Sequence, residues 1–119
     1  SRDNYLTVTY PNGGQYWEQG EQYTITWDTD LPYGTYFRVD LVKGPNGSTT
    51  TTTILESTPA NSYTWTVPSD QTIGDDYRIE VEEIGGSFLT DMSNNFFSIG
   101  APYLITVTSP DGGESWLRG

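Results

Sequence analysis

Three tyrosines stand where an exposed aromatic ring could stack on a sugar. Tyr10 and Tyr16 flank a Pro-Asn-Gly-Gly turn, and Tyr33 lies in a Leu-Pro-Tyr-Gly loop. A tyrosine ring offers a pyranose an apolar face, and its hydroxyl adds a hydrogen bond. Tyr10, Tyr16 and Tyr33 are therefore candidate carbohydrate-binding residues. The alternatives are an ordinary amphipathic surface or a contact with a neighbouring domain, because single exposed aromatic residues are common.

Aspartates in predicted loops form a second group that could do chemistry. Calcium takes six to eight oxygen ligands, and loop carboxylates and carbonyls often supply them. Calcium is thus the one candidate cofactor. The alternative, a solvated acidic surface with aspartate at turns, is favoured because no segment matches an EF-hand loop or a calcium-binding nonapeptide. The candidate calcium ligands are Asp28, Asp30, Asp70, Asp75, Asp76 and Asp91.

The chain lacks two residue types that are common in active sites. Its sequence contains no histidine and no cysteine, so the commonest general base and the thiolate nucleophile are both missing. Two pairs of carboxylates are adjacent in sequence, Asp75-Asp76 and Glu82-Glu83. Neighbours in a strand point to opposite faces, so neither pair converges on one glycosidic bond. The sequence predicts a protein that is not an enzyme.

The charge balance narrows the classes of partner. The chain has 16 acidic and 5 basic residues, which gives a formal net charge of −11. Nucleic-acid binding needs a basic face, and anionic membrane surfaces attract basic segments. No apolar run approaches the roughly 20 residues that span a bilayer. We expect neither nucleic-acid binding nor membrane insertion.

Modification is a further candidate chemistry. Asn46-Gly47-Ser48 is a formal N-glycosylation acceptor at a predicted hairpin tip, and the run Thr49–Thr53 could carry O-glycans. The alternatives are turn chemistry at Asn46 and a polar, β-branched edge strand over the threonine run.

Short strands must position all of these residues. Apolar residues recur at every second position and turn residues interrupt at short intervals, which indicates an antiparallel all-β domain. About seven strands within 100 residues predict an immunoglobulin-like or fibronectin-III-like β-sandwich. The predicted strands are Leu6–Thr9, Gln22–Asp28, Tyr36–Val42, Thr49–Leu55, Tyr63–Val67, Tyr77–Glu83 and Asn95–Ile99.

The tryptophans could be mistaken for a sugar-binding platform. Trp27 and Trp65 have the same strand parity as Ile25 and Val67, which predicts that both indoles face inward. Trp17 follows a Gly-Gly turn and is predicted to close one end of the sandwich. Since each indole buries a large apolar area, we favour a core role for Trp17, Trp27 and Trp65.

A stretch near the end of the chain repeats an earlier one. Residues 105–119 match residues 6–20 at a constant offset of 99, as from Gly13 to Gly112. We therefore predict one module over residues 1–100, and a linker with the first strand of a second copy over residues 101–119. Neighbouring copies are the expected partners. The recurring residues are Thr7, Val8, Thr9, Pro11, Gly13, Gly14, Trp17 and Gly20.

The second copy of the first strand allows a different use. Residues 104–109 could replace the first strand of another chain and so build a head-to-tail polymer. We favour the simpler interpretation, in which these residues begin the next module of a longer array. An exchanged strand would have to displace an intramolecular one that is present at high effective concentration.

Several sequence blocks together resemble a known family. They include the opening Leu-Thr-Val-Thr and Pro-Asn-Gly-Gly, Trp17 and Gly20, and the later blocks Tyr23–Trp27, Tyr63–Pro68, Asp76–Ile79 and Ser93–Ile99. Over residues 6–99 they resemble the Kre9/Knh1-like domain, also called the Ser-Thr-rich glycosylphosphatidylinositol-anchored membrane family. The chain departs from that pattern at Gln15 and Tyr16, where the family tends to have Glu; the second copy has Glu114.

The resemblance implies an immunoglobulin-like, non-catalytic module that is secreted or displayed at the cell surface and associated with cell-wall or surface polysaccharide. It implies no catalytic residues. Two functions stay open: a structural or adhesive tandem repeat in a stalk, filament or cell wall, and a carbohydrate-binding module of a secreted polysaccharide-active protein.

Overall fold

Two sheets, antiparallel but for one strand pair, pack face to face to form the protein. The computed structural model describes residues 4–32, 34–45, 47–86 and 89–102, and every regular element within those ranges is a strand. The predicted all-β, immunoglobulin-like sandwich is confirmed. Among these residues no helix is long and apolar enough to cross a bilayer.

The described residues form nine strands, which are joined by turns and loops. The first sheet has the order β1-β3-β6, and the second has the order β2-β9-β7-β4-β5, with β8 also paired to β7. All pairs are antiparallel except β2 with β9, which run parallel. The strands are β1 (Leu6–Tyr10), β2 (Tyr16–Glu18), β3 (Gln22–Thr29), β4 (Phe37–Lys43), β5 (Thr50–Thr58), β6 (Ser62–Thr66), β7 (Gly74–Glu83), β8 (Thr90–Met92) and β9 (Phe97–Gly100).

The strand count differs from the sequence-based prediction of about seven. The additional strands, β2 and β8, have three residues each. A three-residue segment is too short to show alternation, so only its pairing reveals it. Trp17 therefore lies within a paired strand rather than in a loop. Its partner across the parallel ladder is Ile99.

The core lies between the sheets, where alternate residues of both meet. An aromatic cluster fills its centre. The Trp17 ring stacks on Tyr23 with centroids 4.5 Å apart, and Phe97 lies 4.7 Å away. Fully burying one such aliphatic or aromatic side chain contributes about 1.5–3 kcal/mol. The buried apolar residues are Leu6, Val8, Trp17, Ile25, Trp27, Phe37, Val39, Leu41, Val42, Trp65, Val67, Tyr77, Ile79, Val81, Phe97 and Ile99.

Two acidic residues are buried, which is unusual for charged side chains. Asp40 lies on the outer face of β4, as alternation predicts, yet only 3% of it is exposed. Glu83 continues the inward parity of β7 and is 4% exposed; it accepts a hydrogen bond from the Gly85 backbone. Both carboxylates are buried among paired neighbours because β4 and β7 are central strands with partners on both sides.

The turn between β1 and β2 explains the residues that recur near the chain end. Pro11 is buried after a cis peptide bond, and its carbonyl accepts a hydrogen bond from the Ser93 hydroxyl at 2.6 Å. Gly13 has φ 138°, and a Cβ there would lie 2.6 Å from the Asn95 Cβ. No other residue type fits Gly13 without displacing the backbone.

Several predictions fall on residues outside the described ranges. They concern Tyr33, Asn46 and the second copy of the repeat over residues 103–119. These stay predictions.

Candidate functional site

An open, mostly apolar depression lies at the end of the sandwich where β9 finishes. Tyr16 of β2 and Ile73, just before β7, stand on either side of it, with 41% and 58% of their surfaces exposed. Ala101 forms a wall of the depression, and the exposed Asp75 carboxylate is at its rim. We call Tyr16, Ile73 and Ala101 the exit surface, because the chain leaves the module there. The remaining lining residues are Gly74, Ser98, Ile99 and Gly100.

Tyr16 is fixed against the departing chain. It pairs with Ser98 in the parallel ladder, and its hydroxyl donates a hydrogen bond to the Ala101 carbonyl at 2.7 Å. Its ring covers Gly100 so closely that a Cβ there would lie 2.8 Å from two ring carbons. The hydroxyl end of the ring therefore lies against the protein backbone, and the side chain lines the depression.

Tyr10 lies on another part of the module. Its ring centroid is 6.0 Å from that of Trp17, and its hydroxyl accepts a hydrogen bond from the Trp17 indole at 3.3 Å. Trp17 and Tyr16 are neighbours in β2 and point to opposite faces. Tyr10 therefore covers the inward side of β2, whereas Tyr16 lies on its outer side, and the two candidate tyrosines do not form one platform.

The six candidate aspartates do not form one cluster, and four of them contact other residues of the module. Asp28 and Asp30 accept hydrogen bonds from the Tyr5 hydroxyl and backbone. Asp76 pairs with Lys43 at 3.0 Å, and Asp91 accepts the Val8 amide at 2.8 Å. Asp70 and Asp75 are exposed. Within the described ranges, no three His, Cys, Asp or Glu side chains are grouped to hold a metal ion.

Two of these contacts perturb the partner's acidity. The hydrogen bond to Asp28 raises the pKa of Tyr5 above 10.0, and the hydrogen bond to Asp76 raises the pKa of Lys43 above 10.5. Lys43 stays protonated at neutral pH and lies 5.5 Å from the Tyr77 ring centroid.

Another set of exposed apolar side chains lies at the opposite end of the sandwich, where β1 begins. Tyr5 precedes β1, Tyr36 precedes β4 and Ile84 follows β7; their exposed fractions are 43%, 48% and 37%. Ile84 and Tyr36 are adjacent, because the Ile84 amide donates to the Tyr36 carbonyl at 3.1 Å. We call these three residues the entry surface.

The tryptophans do not form a binding platform. Trp17, Trp27 and Trp65 are 0%, 3% and 7% exposed. Trp17 and Trp65 contact each other with centroids 6.1 Å apart, and Trp27 packs edge-on against Phe37 at 5.8 Å. A sugar in solution has no access to any of these rings.

Ile73 is the site residue that sequence analysis missed. It follows the polar stretch Ser69–Thr72 and has no alternating pattern around it, so strand parity does not assign it to either face. The usable signal was its composition. Ile73 is an apolar residue in a polar loop just before a strand, and core packing does not explain an apolar residue there.

A family model described as the Kre9/KNH-like N-terminal Ig-like domain matches residues 10–97. This range lies wholly within residues 6–99, over which the sequence blocks resemble that family. No curated protein and no solved structure matches the chain.

Proposed function

Because the chain belongs to the family of Kre9/KNH-like N-terminal Ig-like domains, we propose that it is a non-catalytic structural module of a tandem-repeat protein at the cell surface. The family is associated with yeast cell-wall glucan synthesis, which suggests a secreted or cell-wall-associated protein. The role proposed for the module is to pack, space and adhere rather than to turn over a substrate.

The observation that carries this proposal is the structural role of the residues that recur at an offset of 99. Val8 and Trp17 are buried in the core. Gly14 and Gly20 adopt positive φ angles, and their amides donate to the carbonyls of Phe96 and Val67 at 2.9 and 2.7 Å. A sequence that repeats the residues needed to start this sandwich is expected to start the same sandwich again.

The positions that change between the two stretches support the same conclusion. Tyr10 and Tyr16 are replaced by Ser109 and Ser115, and both tyrosines are at least one-third exposed. A serine can occupy either position without opening a cavity in the core. The repeat therefore keeps the architecture and varies the surface, as arrays of spacer or binding modules do.

A segment transplant tests the proposal. We expect a chimera in which residues 105–119 replace residues 6–20 to fold cooperatively, because the recurring residues supply the same core contacts and turns. It should lose about 1–3 kcal/mol of unfolding free energy, since the hydrogen bonds of Tyr10 and Tyr16 disappear. Urea unfolding followed by tryptophan fluorescence measures this loss.

The matched control carries the same fifteen residues in scrambled order and should not fold. A chimera that fails to fold while the unmodified protein folds would contradict the assignment of residues 105–119 to a second module.

Carbohydrate binding is a second candidate, favoured by one observation. Tyr16 borders an open depression together with an exposed aliphatic side chain, Ile73, and a carboxylate, Asp75. Aromatic and aliphatic surface with one nearby acceptor suits a sugar ring. Affinity electrophoresis against cell-wall polysaccharides tests it. Retardation that Tyr16→Ser abolishes and Tyr36→Ser preserves would favour binding, and no retardation on any glycan would leave the structural module.

A further inference from the structure

We infer that the exit surface of one module docks against the entry surface of the next copy of the same module. The contact would make a tandem array a chain of fixed joints. This inference rests on the proposed tandem-repeat function. It concerns the surface at which successive modules meet, which neither the repeat nor the family match specifies.

The exit surface includes an apolar side chain, Ile73, that the core leaves largely exposed. Ile73 is 58% exposed, the largest exposed fraction among the large hydrophobic residues that the described ranges contain. Tyr16 is not kept in the repeat, because the second copy has Ser115 at that position. Exposed apolar side chains grouped around a depression mark an interaction surface more often than isolated ones do.

The entry surface offers a complementary set. Tyr36 and Ile84 are joined by a backbone hydrogen bond at the start of β4 and the end of β7, and Tyr5 precedes β1 at the same end. The register of the repeat places Leu104 where the first module has Tyr5. That position therefore stays apolar in the second copy.

Chain connectivity selects the next module as the occupant. The exit surface contains Ala101, and the counterpart of Tyr5 comes three residues later, at Leu104. Three residues span at most about 11 Å. Pro102 restricts the backbone of both itself and Ala101, and Tyr16 holds the Ala101 carbonyl. The entry surface of the next copy is consequently delivered to the exit surface at short range.

The contact is heterologous, because different patches meet, so it repeats along a line and does not close into a dimer. The patches are small, and we expect weak association between separate chains. Within an array, the short linker provides an effective concentration of about millimolar, which is enough to keep such a joint formed. Both patches have aspartates nearby, Asp75 at one and Asp28 at the other, so association should tighten as salt rises.

Complementary variants of the 119-residue chain test this inference. In ¹H–¹⁵N NMR spectra recorded from 0.1 to 5 mM, resonances of Tyr16, Ile73, Tyr36 and Ile84 should shift together in the unmodified protein. Ile73→Asp and Ile84→Asp should each weaken self-association at least tenfold. An equimolar mixture of the two should recover it, as dimers only, because each dimer pairs one intact exit surface with one intact entry surface.

Tyr10→Ser is the matched control, since Tyr10 is exposed but belongs to neither surface, and it should associate as the unmodified chain does. The inference is overturned if no shifts occur at 5 mM, since a joint that weak would stay open in an array. Recovery failing in the mixture, or either aspartate variant associating normally, would overturn it as well. Whether the transplant chimera folds does not depend on these results. If the chimera folds but the chains do not associate, the modules form an array with flexible joints, and this outcome differs from the absence of an array.

Discussion

Asp40 and Glu80 face each other directly across β4 and β7, an arrangement that costs stability when both are ionised. Arg38 contacts Asp40 and Glu82 and offsets part of this repulsion. Partial burial, and then the negative charges of Asp40 and Glu82, raise the pKa of Glu80 above 4.5. The folded protein thus binds a proton at Glu80 more tightly than the unfolded chain does.

The sign of the resulting pH dependence follows from linkage. A carboxyl whose pKa is raised by folding lowers stability as pH rises from its unfolded value through its folded value. We therefore expect Glu80→Gln to raise the free energy of unfolding at pH 7, by no more than about 1 kcal/mol. The gain should vanish well below pH 4.5, where Glu80 is protonated in both states.

Urea unfolding of both proteins between pH 3 and 8 measures this difference. Glu21→Gln, which removes an exposed charge away from the cluster, controls for the change in net charge. An equal gain in that control, or a gain independent of pH, would argue against the Asp40–Glu80 repulsion.

Individual residues differ in how well the sequence predicted them. Alternation placed Trp27 and Trp65 inside, because a strand with one buried face imposes its parity on every side chain. The same rule left Asp40 outside and exposed. Burial of Asp40 depends on two neighbouring strands and on Arg38, and such long-range pairing leaves no trace in the local pattern.

Strand β1 forms the edge of its sheet, and a side chain from the other sheet protects that edge. The Asp91 carboxylate, on β8, accepts the outward-pointing amide of Val8 at 2.8 Å. This bond satisfies a partly buried donor and occupies a position at which another strand would pair. The outer edge of β1 is therefore partly capped against pairing with a further strand.

Removing this cap should destabilise the first strand. We expect Asp91→Ala to cost about 1–3 kcal/mol, because the Val8 amide is left without an acceptor. Asp91→Asn should cost less, since an amide oxygen still accepts. Asp70→Ala, at an exposed loop aspartate, is the control and should stay within about 0.5 kcal/mol.

The denaturant midpoints of the three variants test whether Asp91 stabilises the edge of β1. Size-exclusion chromatography of Asp91→Ala at high concentration adds a second readout, because an uncapped β1 edge is more open to pairing. Equal midpoints for Asp91→Ala and Asp70→Ala would contradict the capping role.

Elements were predictable in proportion to their length. All seven predicted strands exist, with ends displaced by at most three residues. Most of them have enough alternating residues to show their period, whereas the threonine run of β5 indicates a strand through its β-branched composition. The exit surface could be anticipated only through Tyr16. Its other members, Ile73 and Ala101, come from the loop before β7 and from the residues after β9. The sheet topology brings these segments together, and no local sequence motif predicts that they meet.

The whole molecule carries a strong excess of one charge. Sixteen acidic residues against five basic ones leave the native state under net self-repulsion, which ion pairs such as those of Arg38 and Lys43 offset in part. Salt weakens both effects, but the repulsion involves many more charges.

We therefore expect the midpoint of urea unfolding to rise between 0.02 and 0.5 M NaCl. Sucrose at matched osmolality controls for effects that do not depend on ionic screening. A midpoint that falls with added salt would mean that the ion pairs outweigh the general repulsion.

The parallel ladder between β2 and β9 has a mechanical consequence. The chain enters the module at the start of β1 and leaves at the end of β9, which lie at opposite ends of the sandwich. Tension applied at these two points pulls β2 and β9 past each other along their length. The bonds from the Ser98 amide to Gln15 and from the Gln19 amide to Gly100 would then be loaded simultaneously rather than opened in succession. A module with this strand arrangement resists stretching, whereas a hairpin pulled at its two ends loses its hydrogen bonds one after another.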